Sequence, residues 1–375
     1  MDFNWKDNML FAITLPDTSP YSSVKANVGS ARFYGAEFEV HTENVRTRNF
    51  SWSTDLTYAY NANRVLSLPE EYGYDEVDPY GNPTGKRAYR IGGYTMSESG
   101  YRFGGTAVGE PLGRIYGYKA DHIIDGLPEA DGQYYDVNSL GYRVGDGSYV
   151  TGRHDAGDWA WMNRLGSAKD ADGNEIINAE DVFYLGNVMP HSVGGINNTF
   201  RFKRFTFGVY LDYAIGHSIV NGQKTQMLKS GMGDSNQILG RMVYDCWEYP
   251  GDPTAKYARW TPNDSDWSNR NWRGTSSFMT ERADYLCLRD VTLSYDLSER
   301  LLKPFKIKKA TIGVMGNTLY YLTGVTGAVS PESGMGSSSS ASMYKAISTN
   351  NSSSDDTGNL MPPARKIIFS VKVVF

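Results

Sequence analysis

The sequence predicts an all-β chain, about eight strands of a transmembrane antiparallel β-barrel with long loops gathered at one end. Three observations predict it. Apolar and polar residues alternate with period two in segment after segment. The connections between those segments alternate strictly between short and long. Aromatic residues and glycine are abundant, with Tyr 27, Trp 8 and Gly 40 in 375 residues. Mean hydropathy is negative, and no apolar run approaches the roughly 18 residues that a membrane helix needs. A barrel escapes that test, because its strands turn half their residues into a polar interior.

The elements follow in order. Strands are expected at about 8–16, 31–44, 50–65, 193–203, 205–217, 284–298, 308–322 and 364–375. In "GAEFEVH", Ala36, Phe38 and Val40 oppose Glu37, Glu39 and His41. In "WSTDLTYAY", Trp52, Leu56, Tyr58 and Tyr60 share a face with Thr54, and Ser53, Asp55, Thr57 and Ala59 share the other. "FTFGVYLDYA" sets Phe205, Phe207, Val209, Leu211 and Tyr213 against Thr206, Gly208, Tyr210, Asp212 and Ala214. "VTLSYDL" and "ATIGVMGN" repeat the pattern with Val291, Leu293 and Tyr295, and with Ala310, Ile312 and Val314. The chain closes on "ARKIIFSVKVVF", where Ile367, Phe369, Val371, Val373 and Phe375 form one wholly apolar face. This is the period of a strand. A soluble sandwich would also alternate, so the connections have to decide.

Links at 45–49, around 204 and at 299–307 are short; those at 17–30, 66–192, 218–283 and 323–363 are long. Connections of that length are unusual inside a compact soluble domain. Membrane barrels have short periplasmic turns and long extracellular loops. The same assignment brings the last strand, and the C-terminus, to the periplasmic side.

Composition excludes several classes. Net charge is −5 and no long basic run occurs, so nothing marks a nucleic-acid surface. Cys246 and Cys287 are the two cysteines; without a CxxC they make neither a disulfide framework nor a zinc ribbon. No nucleophile–base arrangement is visible, the five histidines show no HExxH spacing, and no phosphate loop occurs. An enzyme is not expected. The opening "MDFNWKDNMLFAITLP" lacks the basic and apolar regions of a signal peptide and reads as the middle of a longer chain.

Two constellations stand out in the long links. "DADGNEIINAED" places Asp170, Asp172, Asn174, Asn178 and Asp181 at positions 1, 3, 5, 9 and 12 of a twelve-residue loop, with the Ile176 carbonyl at 7. That spacing can wrap oxygen ligands round a structural Ca²⁺. Glu175 stands where the turn wants glycine, and position 12 is the shorter Asp, so a solvated acidic turn is the competing reading. Asp155 and Asp158 lie near enough to add ligands. The second constellation is aromatic: Tyr134, Tyr135, Trp159, Trp161, Trp247, Trp260, Trp267 and Trp272. Exposed loop aromatics stack on sugars or anchor a partner. They can equally form the core of a folded loop. "SSSSAS" at 337–342 reads as low complexity.

A resemblance adds to this. "VKANVGSARFYGAEFEV" (Val24–Val40) resembles the N-x-G-x-x-x-x-x-G-x-E segment of TonB-dependent outer-membrane receptors. "VGEPLGRIYGYKADHI", "LGNVMPHSVGGINNTFRFKRFTFGVYL", "RWTPND", "RADYLCLRDVTLSYDL" and "GNTLYYLTGVTGAVSPE" are similar to the SusC/RagA branch, in family order across nearly the whole chain. The resemblance implies a 22-stranded plugged barrel in the outer membrane, of which residues 1–375 would be the C-terminal barrel part, with the plug and earlier strands absent. It implies import of oligosaccharide or peptide, and a SusD-like surface lipoprotein as lid over loops that include Trp159, Trp161, Trp247, Trp260, Trp267 and Trp272. TonB–ExbB–ExbD would supply energy through the missing N-terminal part. No cofactor is implied. The terminal strand, ending at Phe375, resembles the signal read by the barrel-assembly machinery, and Ile367, Phe369, Val371 and Val373 would face lipid. The alternative is a surface carbohydrate-binding β-protein without transport activity.

Overall fold

The computed structural model describes residues 2–5, 10–14, 23–27, 29–96, 99–124, 136–137, 143–144, 157–162, 181–221, 245–249, 251–259, 276–327, 330–332 and 364–375. Eight strands form one antiparallel sheet: β1 (Asp2–Trp5), β2 (Ser30–Arg46), β3 (Phe50–Ser67), β4 (Ser192–Phe202), β5 (Phe205–Ile215), β6 (Tyr285–Asp296), β7 (Lys309–Thr323) and β8 (Lys366–Val374). Their spatial order is their chain order. Each strand therefore returns beside the one before it, as in an up-and-down barrel wall.

The sequence places seven of these strands within a few residues. The first expected strand, 8–16, is a correction. Residues Leu10–Thr14 pair with Ser23–Asn27 in a separate hairpin, and the edge of the large sheet is taken by Asp2–Trp5, in register with Ala31–Tyr34. A hairpin closes a short loop, which costs less chain entropy than joining the long-range sheet.

Register sets the two faces. The row Val45–Trp52–Phe200–Phe207–Leu293–Val314–Phe369 runs unbroken from β2 to β8. Below it lies Phe50–Phe202–Phe205–Tyr295–Ile312–Val371. Above it lie Val40–Leu56–Ile196–Leu211–Leu288–Tyr320 and Phe38–Tyr58–Gly194–Tyr213–Leu286–Leu322. This apolar face is open: Phe38, Leu56, Phe202, Phe207, Leu293, Tyr320, Ile367 and Val371 are all exposed, and Phe369 is 81% exposed. A water-soluble domain rarely leaves apolar surface of that extent uncovered. Where the face turns polar, its groups satisfy one another. Asn198 Oδ1 accepts hydrogen bonds from Trp52 Nε1 at 3.0 Å and Thr54 Oγ1 at 2.7 Å.

The two ends of the sheet differ. At one end β2–β3 and β4–β5 are joined by tight turns, with Lys203 in the left-handed region at φ 55°, and β6–β7 by a short helical link, Glu299–Leu302 followed by Lys303–Phe305. At the other end the long connections carry structure of their own. Gly73–Val77, Pro83–Met96 and Arg102–Ala107 make a three-stranded sheet. Arg114–Tyr118 pairs with Val182–Asn187, Ala120–Ile123 with Trp159–Trp161, and Ser218–Val220 with Thr280–Arg282. The buried apolar residues gather here: Ala31, Val65, Leu68, Ile91 and Leu112 in one cluster, Trp159, Trp161 and Ala258 in another. Among the described residues the apolar face of the main sheet carries no buried cluster, while its opposite face holds a small one, Ala214, Tyr285 and Cys287. No helix among the described residues is long and apolar enough to cross a membrane.

Candidate functional site

The face opposite the apolar rows is polar, and it is as continuous. The row His41–Asp55–Asn197–Tyr210–Asp290–Asn317–Lys366 crosses from β2 to β8. Its members are linked side to side. His41 Nδ1 meets Asp55 Oδ1 in a close contact, Asn197 Nδ2 donates to Asp55 Oδ2 at 3.3 Å, and Asn317 Nδ2 donates to Asp290 Oδ1 at 2.6 Å. The next row toward the long connections is Glu39–Thr57–Gly195–Asp212–Cys287–Tyr321. A Cβ at Gly195 would lie 2.7 Å from the Tyr210 ring and 3.1 Å from the Leu211 carbonyl, so a side chain there would displace that ring from the row. The carboxylates Glu37, Glu39, Asp55, Asp212, Asp290 and Asp296 share this face by register.

Above this row a charged cluster joins the sheet to the loop layer. Arg289 donates from Nε to Asp212 Oδ1 at 2.8 Å and from Nη2 to Asp212 Oδ2 at 2.7 Å. The Nη2 group also meets Glu332 Oε1 in a close contact, Tyr321 Oη donates to Glu332 Oε1 at 3.0 Å, and Tyr285 Oη donates to Asp212 Oδ2 at 3.3 Å. Arg289 is an extra residue: pairing steps from Leu288 to Asp290 across both neighbouring strands, and opposite it Thr318 holds φ at 52°. A β-bulge of this kind re-aims a side chain. Here it puts Arg289 and Asp290 on the same face. Sequence reasoning missed Arg289, Tyr321 and Glu332. Their signal was a slip of phase, from apolar Leu286 and Leu288 to apolar Val291 and Leu293.

The loop layer is anchored beside this cluster. His217 Nε2 hydrogen-bonds the Pro331 carbonyl oxygen at 2.9 Å, and burial lowers its pKa. Asn221 Nδ2 donates to Glu281 Oε2 and to the Thr326 carbonyl, each at 2.9 Å. Farther out, Glu110 Oε1 accepts from Arg114 at 2.7 Å; burial in this group pushes the Tyr116 hydroxyl up to about 12. Burial likewise pushes the Cys246 thiol up to about 11.

The expected contact tryptophans divide. Trp159 and Trp161 are 8% and 1% exposed, packed with Tyr118, Ile123 and Phe278. They form the core of the folded loop, one of the two readings the sequence leaves open for the loop aromatics. Trp247 is half-buried against Gly157, whose φ of 88° and tight surroundings exclude a side chain. Trp260, Trp267 and Trp272 lie outside the described residues. So do Asp170, Asp172, Asn174, Ile176 and Asn178 of the acidic loop; Asp181, its last member, is buried. Asp158, expected as an extra ligand, receives two hydrogen bonds from Arg259, Nε at 2.7 Å and Nη2 at 3.2 Å. Among the described residues no group of three or more His, Cys, Asp or Glu could hold a metal ion. In the terminal strand Ile367, Phe369, Val371 and Val373 continue the apolar rows, and Phe375 is 78% exposed.

The arrangement offers a continuous ladder of hydrogen-bonding groups on one face of the sheet and an uncovered apolar surface on the other. Comparison with known proteins sets this beside relatives. No family model matches the chain. It is 24% identical over 356 residues to TonB-dependent receptor P39 of Formosa agariphila, covering 88% of this chain and 30% of the relative. It is 24% identical to TonB-dependent receptor P3 of the same organism, covering 86% of this chain and 27% of that one. A shorter match, 27% over 100 residues, joins it to TonB-dependent receptor SusC of Bacteroides thetaiotaomicron, over 24% of this chain and 10% of SusC. Among solved structures it superposes on the RagAB peptide transporter with a TM-score of 0.57 at 16% identity, covering 97% of this chain and 32% of that one. A second structure, of the RagAB peptide importer in its "closed-closed" state, gives a TM-score of 0.56 at 14% identity. The chain thus spans about a third of the length of the curated relatives it matches over most of its own length.

Proposed function

This chain is a relative of the SusC/RagA-like TonB-dependent receptors, and on that footing we propose that it forms the C-terminal part of the barrel of an outer-membrane importer. One observation carries the reading: an eight-stranded sheet whose continuous apolar face is exposed and whose opposite face is a continuous polar ladder. In water that apolar face would cost stability over its whole area. Against lipid it is the stable arrangement, with the backbone satisfied between strands.

The apolar rows then face hydrocarbon, the tight turns face the periplasm, and the C-terminus lies on that side. The long connections form the extracellular mouth. The polar ladder lines the interior, where a plug and water would complete its hydrogen bonds. The cargo is an oligosaccharide or a peptide, taken up with a SusD-like lipoprotein over the mouth and driven by TonB acting on the plug. The acidic loop at 170–181 would hold a structural Ca²⁺. The polar ladder supports a route for a hydrogen-bonding solute, and the names of the relatives support a receptor.

The test is made in the organism that carries the gene. The encoded receptor should fractionate with the outer membrane and shift in gel mobility on boiling, as folded barrels do. Its deletion should abolish growth on one defined class, glycans or peptides, and leave other carbon sources unaffected. A tag on the receptor should co-purify a SusD-like lipoprotein. A soluble protein that binds glycans and shows no boiling shift would establish the carbohydrate-binding alternative instead.

A further inference from the structure

We propose a binding site for the phosphate of an outer-leaflet lipid on the outward face of β2 and β3, built by Arg32 and Arg64. The proposal rests on the barrel reading above.

Arg32 and Arg64 are direct register partners on adjacent strands. Both are exposed. They share the face of Tyr34, Phe38 and Val40 on β2, and of Leu56, Tyr58 and Tyr60 on β3, because pairing runs without irregularity from Ala31 to Glu43. The alternate residues Ala31 and Val65 turn the other way, into the buried cluster of the loop layer. The two guanidinium groups therefore belong to the outward surface, above the apolar rows. A guanidinium fork matches phosphate oxygens in pairs.

The surroundings shape a cleft rather than a flat patch. Arg32, Tyr34, Arg64, Leu66, Val108 and Gly109 line one concavity. Arg32 lies over the Tyr34 ring, 5.5 Å from its centroid. Arg64 Nε donates to the Gly109 carbonyl at 2.9 Å, which fixes the head of the side chain. Beyond the end of β4 the edge of β3 is taken over by this loop: Val65 N donates to the Glu110 carbonyl and Gly109 N to the Val65 carbonyl, each at 2.9 Å. Gly109 turns there with φ at 88°. Leucine, valine and tyrosine beside paired arginines suit a ligand that is anionic at one end and apolar at the other.

Height along the strand selects a lipid over a free anion. From Trp52 to Tyr60 is ~26 Å of strand, or ~20 Å of rise at the usual tilt. These aromatics mark the two interfaces of an apolar band ~25 Å tall. Arg64 stands about 10 Å of rise farther out. That is the level of headgroups.

The experiment uses the full receptor, extracted from outer membranes in detergent and analysed by native mass spectrometry. The probes are lipid A, a diphosphorylated glucosamine lipid, its dephosphorylated form, and inorganic phosphate. Unaltered receptor should retain lipid A and not the dephosphorylated lipid, and millimolar phosphate should fail to displace it. The double variant Arg32→Gln, Arg64→Gln should lose retention at least tenfold with an unchanged boiling shift. Arg64→Lys, which keeps the charge and loses the fork and the Nε bond to Gly109, should retain less than the unaltered receptor and more than the double variant. Equal retention by the double variant, or equal retention of dephosphorylated lipid, overturns the site. Displacement by inorganic phosphate overturns the lipid source. Absence of a boiling shift in the unaltered receptor is a different failure: it removes the barrel reading, and the lipid site with it.

Discussion

Arg289 reaches Asp212 through two parallel hydrogen bonds, although register sets Cys287, not Arg289, opposite Asp212. The bulge at Arg289 makes this diagonal reach possible, and the same guanidinium meets Glu332 from the connection after β7. One side chain ties a wall strand, its neighbour and the loop layer together. Removing it leaves two carboxylates without their cation. Arg289→Ala should destabilise the folded barrel by roughly 2–3 kcal/mol. That is less than the ~3–5 kcal/mol of a fully buried pair, because the side chains keep 21% and 16% exposure. The double variant Arg289→Leu, Asp212→Leu should cost less than the single one. Urea unfolding of the receptor in liposomes, followed by tryptophan fluorescence, reads both. Additive losses would show that the pair is not a unit.

The two faces can be tested with neighbouring residues. Leu56 points to the exposed apolar face and Thr57 to the polar one. Leu56 stands midway between the interface aromatics Trp52 and Tyr60, so Leu56→Arg should cost ~2–4 kcal/mol and should lower the amount of receptor in the outer membrane. Thr57→Arg should leave that amount nearly unchanged. Quantitative immunoblots of membrane fractions give the answer, and equal losses would refute the assignment of faces.

Trp161 is enclosed in the loop layer. Trp161→Ala should cost about 3–5 kcal/mol of that layer's stability, as other large core truncations do. The sign is rapid proteolytic cleavage of the 68–191 connection while the barrel still shifts on boiling. If cleavage is unchanged but uptake falls, Trp161 acts on the cargo and its structural role is secondary.

Cys246 gives a prediction in pH. Burial raises its pKa from 9 to about 11. The thiol is thus the folded form at neutral pH, and ionisation opposes folding only as pH climbs from about 9 through about 11. Only the thiolate reacts with iodoacetamide. Labelling at pH 8 should be slow in the native receptor and fast in denaturant, and native labelling should rise steeply only above pH 10. Fast native labelling at pH 8 would mean that Cys246 is exposed.

Much of this was legible before the structure, and for a definite reason. A strand's faces follow from counting by twos, so the alternation in 50–65 or 205–217 fixed which residues would be exposed together. The long and short links fixed which ends would meet. Arg289 was not legible in that way. Its place depends on a bulge, on strands β5 to β7 in register, and on Glu332 arriving from a distant loop. The fate of Trp159 and Trp161 was equally hidden, because an exposed aromatic and a core aromatic have the same letters. The misplaced first strand shows a competition between a local hairpin and a long-range edge, which alternation alone does not resolve.

The bulge at Arg289 has a further consequence. A strand keeps account of inside and outside by parity, and the extra residue changes that parity once. On one side of it Tyr285 and Cys287 share the face of Asp212 and Ala214; on the other Asp290 and Thr292 share the face of Tyr210 and Gly208. Deleting Arg289 would leave composition and hydropathy almost untouched. It would also leave the two faces in place, because without the extra residue Leu288 and Asp290 stand opposite the adjacent Leu211 and Tyr210 in plain alternation; Tyr285 and Cys287 stay inward, Leu286 and Leu288 stay outward, and only the guanidinium on Asp212 is lost. At a regular position of such a wall a single insertion or deletion exchanges the faces of half a strand, so tolerated ones should come in even numbers, fall at a bulge or fall in the long connections, and the reading frame of the protein's evolution is two residues wide.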